Sequence, residues 1–349
     1  MGRAIFETLV TLAIGAAGAV LFWLIGFPAA VLTGPAAAVS VATLMGVPTL
    51  MPARLRDGVF LVIGVTIGST VTPEVIATAL SWPVSLAVLV ATLVAVIVVA
   101  QRALVALFGY DKMTALLCAT PGHLSYVLTL STELGADVPR VALVQTVRVL
   151  LLTLAVPVLI ALWGVEGQAY LTDYGAISPL ALALTFPAAL ALGWVFLRLH
   201  VPAALVLGGM AVSAIGHGSG LTPGVIPAWL QIGAFLCMGV LIGTRFRGFD
   251  PRGVWGALGA GIVTTLVACA VASVGAVVAS WIIGLPAAAL LLAFAPGGVE
   301  VMAAIAVETG LEPALVAAHH VFRLLVLTVL VPVMIARARR GGIGPLGSS

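Results

Sequence analysis

The sequence predicts an all-α integral membrane protein of about ten transmembrane helices, set in two inverted repeats of five, each with a re-entrant helical hairpin. Three observations predict it: a composition water cannot wet, a duplication at constant offset, and a one-sided distribution of basic residues. Of 349 residues, 62 % are hydrophobic and 8 % charged. A soluble domain carries roughly a quarter charged residues, because its surface must stay hydrated. The solvent for most of this surface is therefore lipid. The net charge of +3 comes from short basic clusters between apolar runs, a topology signal and not a nucleic-acid patch. Cys118, Cys237 and Cys269 sit inside apolar segments without a CxxC and read as small buried hydrophobes.

The duplication has an offset of 175 positions. Pro121, Gly122, Glu133, Gly135, Arg148, Thr153 and Pro157 reappear as Pro296, Gly297, Glu308, Gly310, Arg323, Thr328 and Pro332. Over 113–161 against 288–336 there are 17 identities in 49 positions without a gap. Pro48, Pro52, Gly58, Gly64 and Gly68 likewise match Pro223, Pro227, Gly233, Gly239 and Gly243. Chance apolar similarity would not keep Pro, Gly, Glu and Arg in register. The repeats are expected at 1–170 and 175–340, followed by a disordered tail at 341–349.

A spanning helix needs about 20 apolar residues. Candidates in the first half lie near 5–25, 29–47, 55–72, 82–101 and 141–163. In the second they lie near 179–197, 202–217, 228–244, 254–281 and 316–336. The first resembles a signal peptide, but its counterpart near 179–197 makes it a retained helix. Between the fourth and fifth candidate of each half lies a broken apolar stretch, 113–138 and 286–313. If each stretch enters and returns, 13 of the 15 basic residues fall in cytoplasmic loops and Arg148 and Arg323 fall within spans. If each crosses, 8 loop basics lie inside and 5 outside. The positive-inside rule selects the first arrangement, with both termini cytoplasmic. Inverted repeats with broken helices at membrane depth are the architecture of secondary transporters, with a site at the repeat interface.

The two tips read Thr120-Pro121-Gly122-His123-Leu124-Ser125 and Ala295-Pro296-Gly297-Gly298-Val299-Glu300. The bland reading of Pro-Gly is a turn. The functional reading is that the break exposes backbone N–H groups and points a positive half-helix end inward, suiting an anion. Pro121, Gly122, His123, Ser125, Pro296, Gly297, Gly298 and Glu300 are therefore candidate substrate-binding positions. Arg148 and Arg323 lie about eight residues into their spans, roughly 12 Å deep. Each is either a ligand contact or a brace for the open carbonyls of the hairpin. Glu300 is an acid at a tip whose counterpart is Ser125. It could carry a coupling proton or pair with an arginine. Glu133 and Glu308 read as anchors at the hairpin ends. His320 stands three residues before Arg323 and completes the candidate site, whereas adjacent His319 and His320 point about 100° apart and make a poor metal pair. The GxxxG motifs at Gly64–Gly68 and Gly239–Gly243 permit close internal packing or a homodimer. No cofactor is expected. The partners expected are a small-molecule substrate and the lipid bilayer, without nucleic acid.

The duplicated block PGHLSYVLTLSTELGADVPRVALVQTVRVLLLTLAVPV and PGGVEVMAAIAVETGLEPALVAAHHVFRLLVLTVLVPV resembles the bacterial AbrB-type membrane protein family, over nearly the whole chain. This family is distinct from the soluble DNA-binding regulator of the same name. The resemblance implies the hydrophobic duplication and a bacterial inner membrane. The family has been labelled both an ammonia monooxygenase and a regulator. The expected function is a secondary, elevator-like transporter for a small anionic or zwitterionic metabolite, coupled to protons or cations, and not an enzyme. The alternatives are a membrane-bound oxygenase, which predicts bound metal, and a membrane-embedded regulator.

Overall fold

A computed structural model describes residues 2–122, 124–162 and 175–340. The expected tail at 341–349 and tip residue His123 lie outside the described residues, as does the side chain of Ser125. Among the described residues the chain forms fifteen helices and one isolated parallel bridge, between Ala176 and Val225. The first half gives α1 (Gly2–Leu24), α2 (Ala30–Leu44), α3 (Ala53–Gly68), α4 (Pro73–Ala79), α5 (Trp82–Phe108), α6 (Lys112–Ala119), α7 (Leu124–Glu133) and α8 (Val138–Leu162). The second gives α9 (Pro179–Arg198), α10 (Ala204–Gly218), α11 (Ala228–Thr244), α12 (Pro251–Ile283), α13 (Ala287–Phe294), α14 (Val299–Thr309) and α15 (Pro313–Arg340). Apart from α4, each helix of the first half has a counterpart in the second, in the same order.

Local chemistry sets the boundaries. Proline stands in the first turn of α4, α5, α9 and α12, where its missing N–H costs nothing. Asp111 accepts from the Met113 and Thr114 N–H groups to start α6, and Ser178 accepts from Ala181 N–H to start α9. Left-handed Gly109, Gly284 and Gly310 end α5, α12 and α14.

Six helices are long and apolar enough to cross a membrane: α1, α5, α8, α9, α12 and α15 through Arg337. The other four expected spans are shorter than a bilayer core requires. Helices α2, α3, α10 and α11 have 15 to 17 residues, which is about 22–26 Å. Pro28 and Pro202 precede left-handed Ala29 and Ala203, which start α2 and α10 late. Extended segments before Ala53 and Ala228 do the same for α3 and α11. These shorter helices bury much of their surface in protein, while the long ones present Trp23, Trp194, Trp255 and Trp281 outward.

The helices pack as two groups, each drawing on both halves of the chain. In one, α1 lies on α2 and α9 on α10, while α2 packs on α11 and α10 on α3. In the other, α5 packs on α12, and α6, α8, α13, α14 and α15 surround that pair. The GxxxG glycines face helices of the same chain: a Cβ at Gly64 would collide with the Val206 carbonyl, and one at Gly239 with that of Leu32. Ser213 crosses the first contact with a hydrogen bond to the Val65 carbonyl at 2.7 Å.

Candidate functional site

The two helix breaks leave backbone carbonyls without helical partners at the C-terminal ends of α6 and α13. Neither end is abandoned. Arg323, 1 % exposed, donates from Nη1 to the Ala295 carbonyl at 2.6 Å and from Nη2 to the Gly297 carbonyl. The same Nη2 donates to Nδ1 of His320 at 2.7 Å, and His320 Nε2 donates to the Leu292 carbonyl at 3.0 Å. In the first half, Arg148 Nη1 reaches the Thr120 carbonyl at 3.4 Å and Nη2 donates to Oε1 of Gln145. Gln145 Nε2 donates to the Leu117 and Thr120 carbonyls, each at 2.9 Å. Gln145 and His320 occupy matched positions and do matched work. Each is one helical turn before its arginine, so both side chains fall on one face of the long helix.

Both guanidiniums thus stand at the negative end of a short helix, where a cation is favoured. Arg148 and Arg323 are near enough to repel each other, and Glu300 attracts Arg323. Among the described residues Nε of each arginine has no hydrogen-bond partner. Glu300, 8 % exposed, lies in the first turn of α14, at that helix's positive end. Gly297 and Gly298 form the backbone that precedes it. Pro121 and Gly122 follow α6, and a Cβ on Gly122 would meet Leu327 of α15, one turn beyond Arg323, at 3.7 Å. The first break therefore lies against the helix that braces the second.

One charged neighbour was not legible in the sequence. Arg245 counts there as a loop cation; in the structure it is half-buried just past the end of α11. Burial lowers its pKa and the Glu300 carboxylate partly restores it, so the two groups are electrostatic neighbours. No periodicity could reveal this, because residues 245 and 300 come near each other only through the tertiary fold.

The two hairpin-end acids part company. Glu133 is exposed, whereas Glu308 is half-buried, with Val31 in the first turn of α2 beside its carboxylate. Its Oε2 is buried and has no partner among the described residues. His319 is engaged at both nitrogens, by the Leu315 carbonyl at 2.9 Å and Oγ of Ser85 at 2.8 Å. His320 is likewise engaged at both, so neither ring has a lone pair to spare. Among the described residues no group of three His, Cys, Asp or Glu side chains converges.

The family model described as transition state regulatory protein AbrB matches residues 31–339 of this chain. A protein of Bacillus subtilis (strain 168), whose printed description is "Uncharacterized protein YhjN", is 30 % identical over 241 residues, covering 64 % of this chain. The match spans 62 % of that relative's own length.

Proposed function

We propose that the chain, which belongs to the AbrB family, is a secondary transporter for a small anionic or zwitterionic metabolite, coupled to protons or cations. The observation that carries this reading is the charge balance at the two helix breaks. Two buried guanidiniums, those of Arg148 and Arg323, stand at the breaks, and the carboxylate there, Glu300, attracts Arg323 and, from past the end of α11, Arg245. At membrane depth an excess of positive charge is expensive unless an anion visits it. The N-terminal turn of α7 carries no acid and offers further positive potential. Its counterpart on α14 carries Glu300, which suits the ammonium end of a zwitterion or a coupling proton.

Re-entry of the broken segments and inversion of the two halves belong to the same proposal. The Asp137 N–H donates to Oγ1 of Thr114 at 3.0 Å, so the residue just before α8 returns to the start of α6. That contact supports a hairpin over a crossing. The packing of α2 on α11 and α10 on α3 supports two-fold exchange between the halves. Two helix groups, only one of which holds the breaks, support an elevator-like shift of one against the other. The remaining parts are a bacterial inner-membrane location, cytoplasmic termini and transport without catalysis.

The family's name carries a regulatory label, and a membrane-embedded regulator is the second reading. Uptake into proteoliposomes decides between them. Purified protein is reconstituted and tested with a panel of labelled carboxylates and amino acids under imposed pH and sodium gradients. Gradient-driven accumulation of at least one acid, abolished by dissipating the gradient, is expected. Absence of accumulation across the panel, from protein that stays folded in the liposomes, would count for the regulator.

A further inference from the structure

A cavity of about 300 Å³ lies away from the helix breaks, between the C-terminal ends of α3 and α14, the first turns of α2 and α11, and the 222–225 loop. Its walls are chiefly apolar, with Val31, Phe235 and Val307 among them. Two polar groups on the wall lack partners among the described residues: Oε2 of Glu308 and Oγ1 of Thr66. Thr66 is 3 % exposed, so its hydroxyl has the cavity and not bulk water as its surroundings.

Among the described residues no lysine or arginine lines this cavity. His217 is the other titratable group on the wall, and its ring nitrogens face the Ser213 carbonyl at 2.8 Å and the Gly224 carbonyl at 3.0 Å. It fastens the loop to α10 and makes no ion pair with Glu308. Glu308 also sits in the last turn of α14, the negative end of that helix, where a carboxylate is disfavoured. A half-buried carboxylate with a buried, open oxygen, an unpaired hydroxyl and apolar walls is complementary to a cation that brings its own apolar body.

We infer that this cavity binds a small organic ammonium, with Glu308 as counter-ion, Thr66 Oγ1 accepting a hydrogen bond from an ammonium N–H and the apolar wall covering the carbon body. This site is separate from the helix breaks: Glu308 is eight residues along α14 from Glu300, about 12 Å at helical rise. It stands whether or not the breaks carry an anion.

The test uses the full chain in lipid nanodiscs, titrated calorimetrically with n-butylammonium and, separately, with n-butanol at fixed pH and ionic strength. Saturable butylammonium binding is expected, about tenfold or more tighter than butanol and about tenfold or more weaker in Glu308→Gln, because truncating one member of a buried charge pair loosens it. Thr66→Val should weaken it less, and Val31→Phe, which narrows the cavity without changing charge, should weaken it if Glu308→Gln does not fold. Equal binding of amine and alcohol overturns the inference. So does unchanged affinity in every variant that folds. Heat from sodium alone that competes away butylammonium would make this an inorganic cation site, and pH-dependent stability with no amine binding would make Glu308 a proton carrier; either result overturns it.

Discussion

At the scale of single residues, Arg148 and Arg323 are occupied by the protein's own backbone. Their heads meet the carbonyls that the helix breaks set free, with Gln145 and His320 sharing the task. Lysine cannot replace such a grip, because an ammonium is a point charge and lacks the planar fork that spans two carbonyls. Arg323→Lys is therefore expected to lose most transport and to lower stability by about 1.5–3 kcal/mol, the worth of hydrogen bonds to a charged group. Arg323→Gln and Arg148→Gln should abolish uptake. Thermal unfolding in detergent, read beside uptake, checks both effects; full stability with full uptake in both Gln variants would refute the brace and the anion site together. Glu300 is different, since its place in the first turn of α14 does not hold a broken end together. Glu300→Gln is expected to leave folding intact and to remove the dependence of uptake on an imposed pH gradient.

At the scale of elements, close approach of helices matters more than their length. Short α3 and α10, and short α2 and α11, meet at glycines where a side chain would strike the opposing backbone. Overpacking a close contact typically costs about 1–3 kcal/mol. Gly64→Leu and Gly239→Leu should each lower the melting temperature of the purified protein, whereas Gly58→Ala, at a glycine with open space around it, should not. Loss of dimer without loss of monomer stability in the Leu variants would instead assign those glycines to an intermolecular contact. The broken pairs α6–α7 and α13–α14 follow a related logic. Pro-Gly ends one short helix, and a polar residue on the long helix after it answers the exposed carbonyls.

At the scale of the whole molecule, the proposed inversion places basic loops on one side. Single cysteines at Arg54 and Arg252, both exposed, should react with a membrane-impermeant maleimide only from the cytoplasmic side, and one at Glu312 only from outside. Cytoplasmic labelling at 312 would overturn the inverted arrangement of the second half. The two helix groups meet where α14 approaches α3 and where α2 approaches α8. Their shared apolar cluster includes Ile63 and Leu32 from one group and Val301 and Ile305 from the other. The proposed elevator-like shift would run along this apolar seam.

The sequence by itself determined the membrane class, the duplication, the family and the sites of the helix breaks. Those follow from composition and from local rules: apolar run length, proline, glycine and the register of the repeat. It also raised the choice of roles for Arg148 and Arg323 without deciding it. Only the tertiary structure aimed the guanidiniums at the Thr120, Ala295 and Gly297 carbonyls, since a long side chain's partner depends on what folds opposite it. The same holds for Arg245, a loop cation by sequence that comes within electrostatic reach of Glu300, and for Glu308, which lies at α2 while its repeat partner Glu133 is exposed. The lengths of α2, α3, α10 and α11 were also decided late. Hydropathy measures how apolar a segment is, but whether it is wrapped by lipid or by other helices depends on packing between groups distant in sequence.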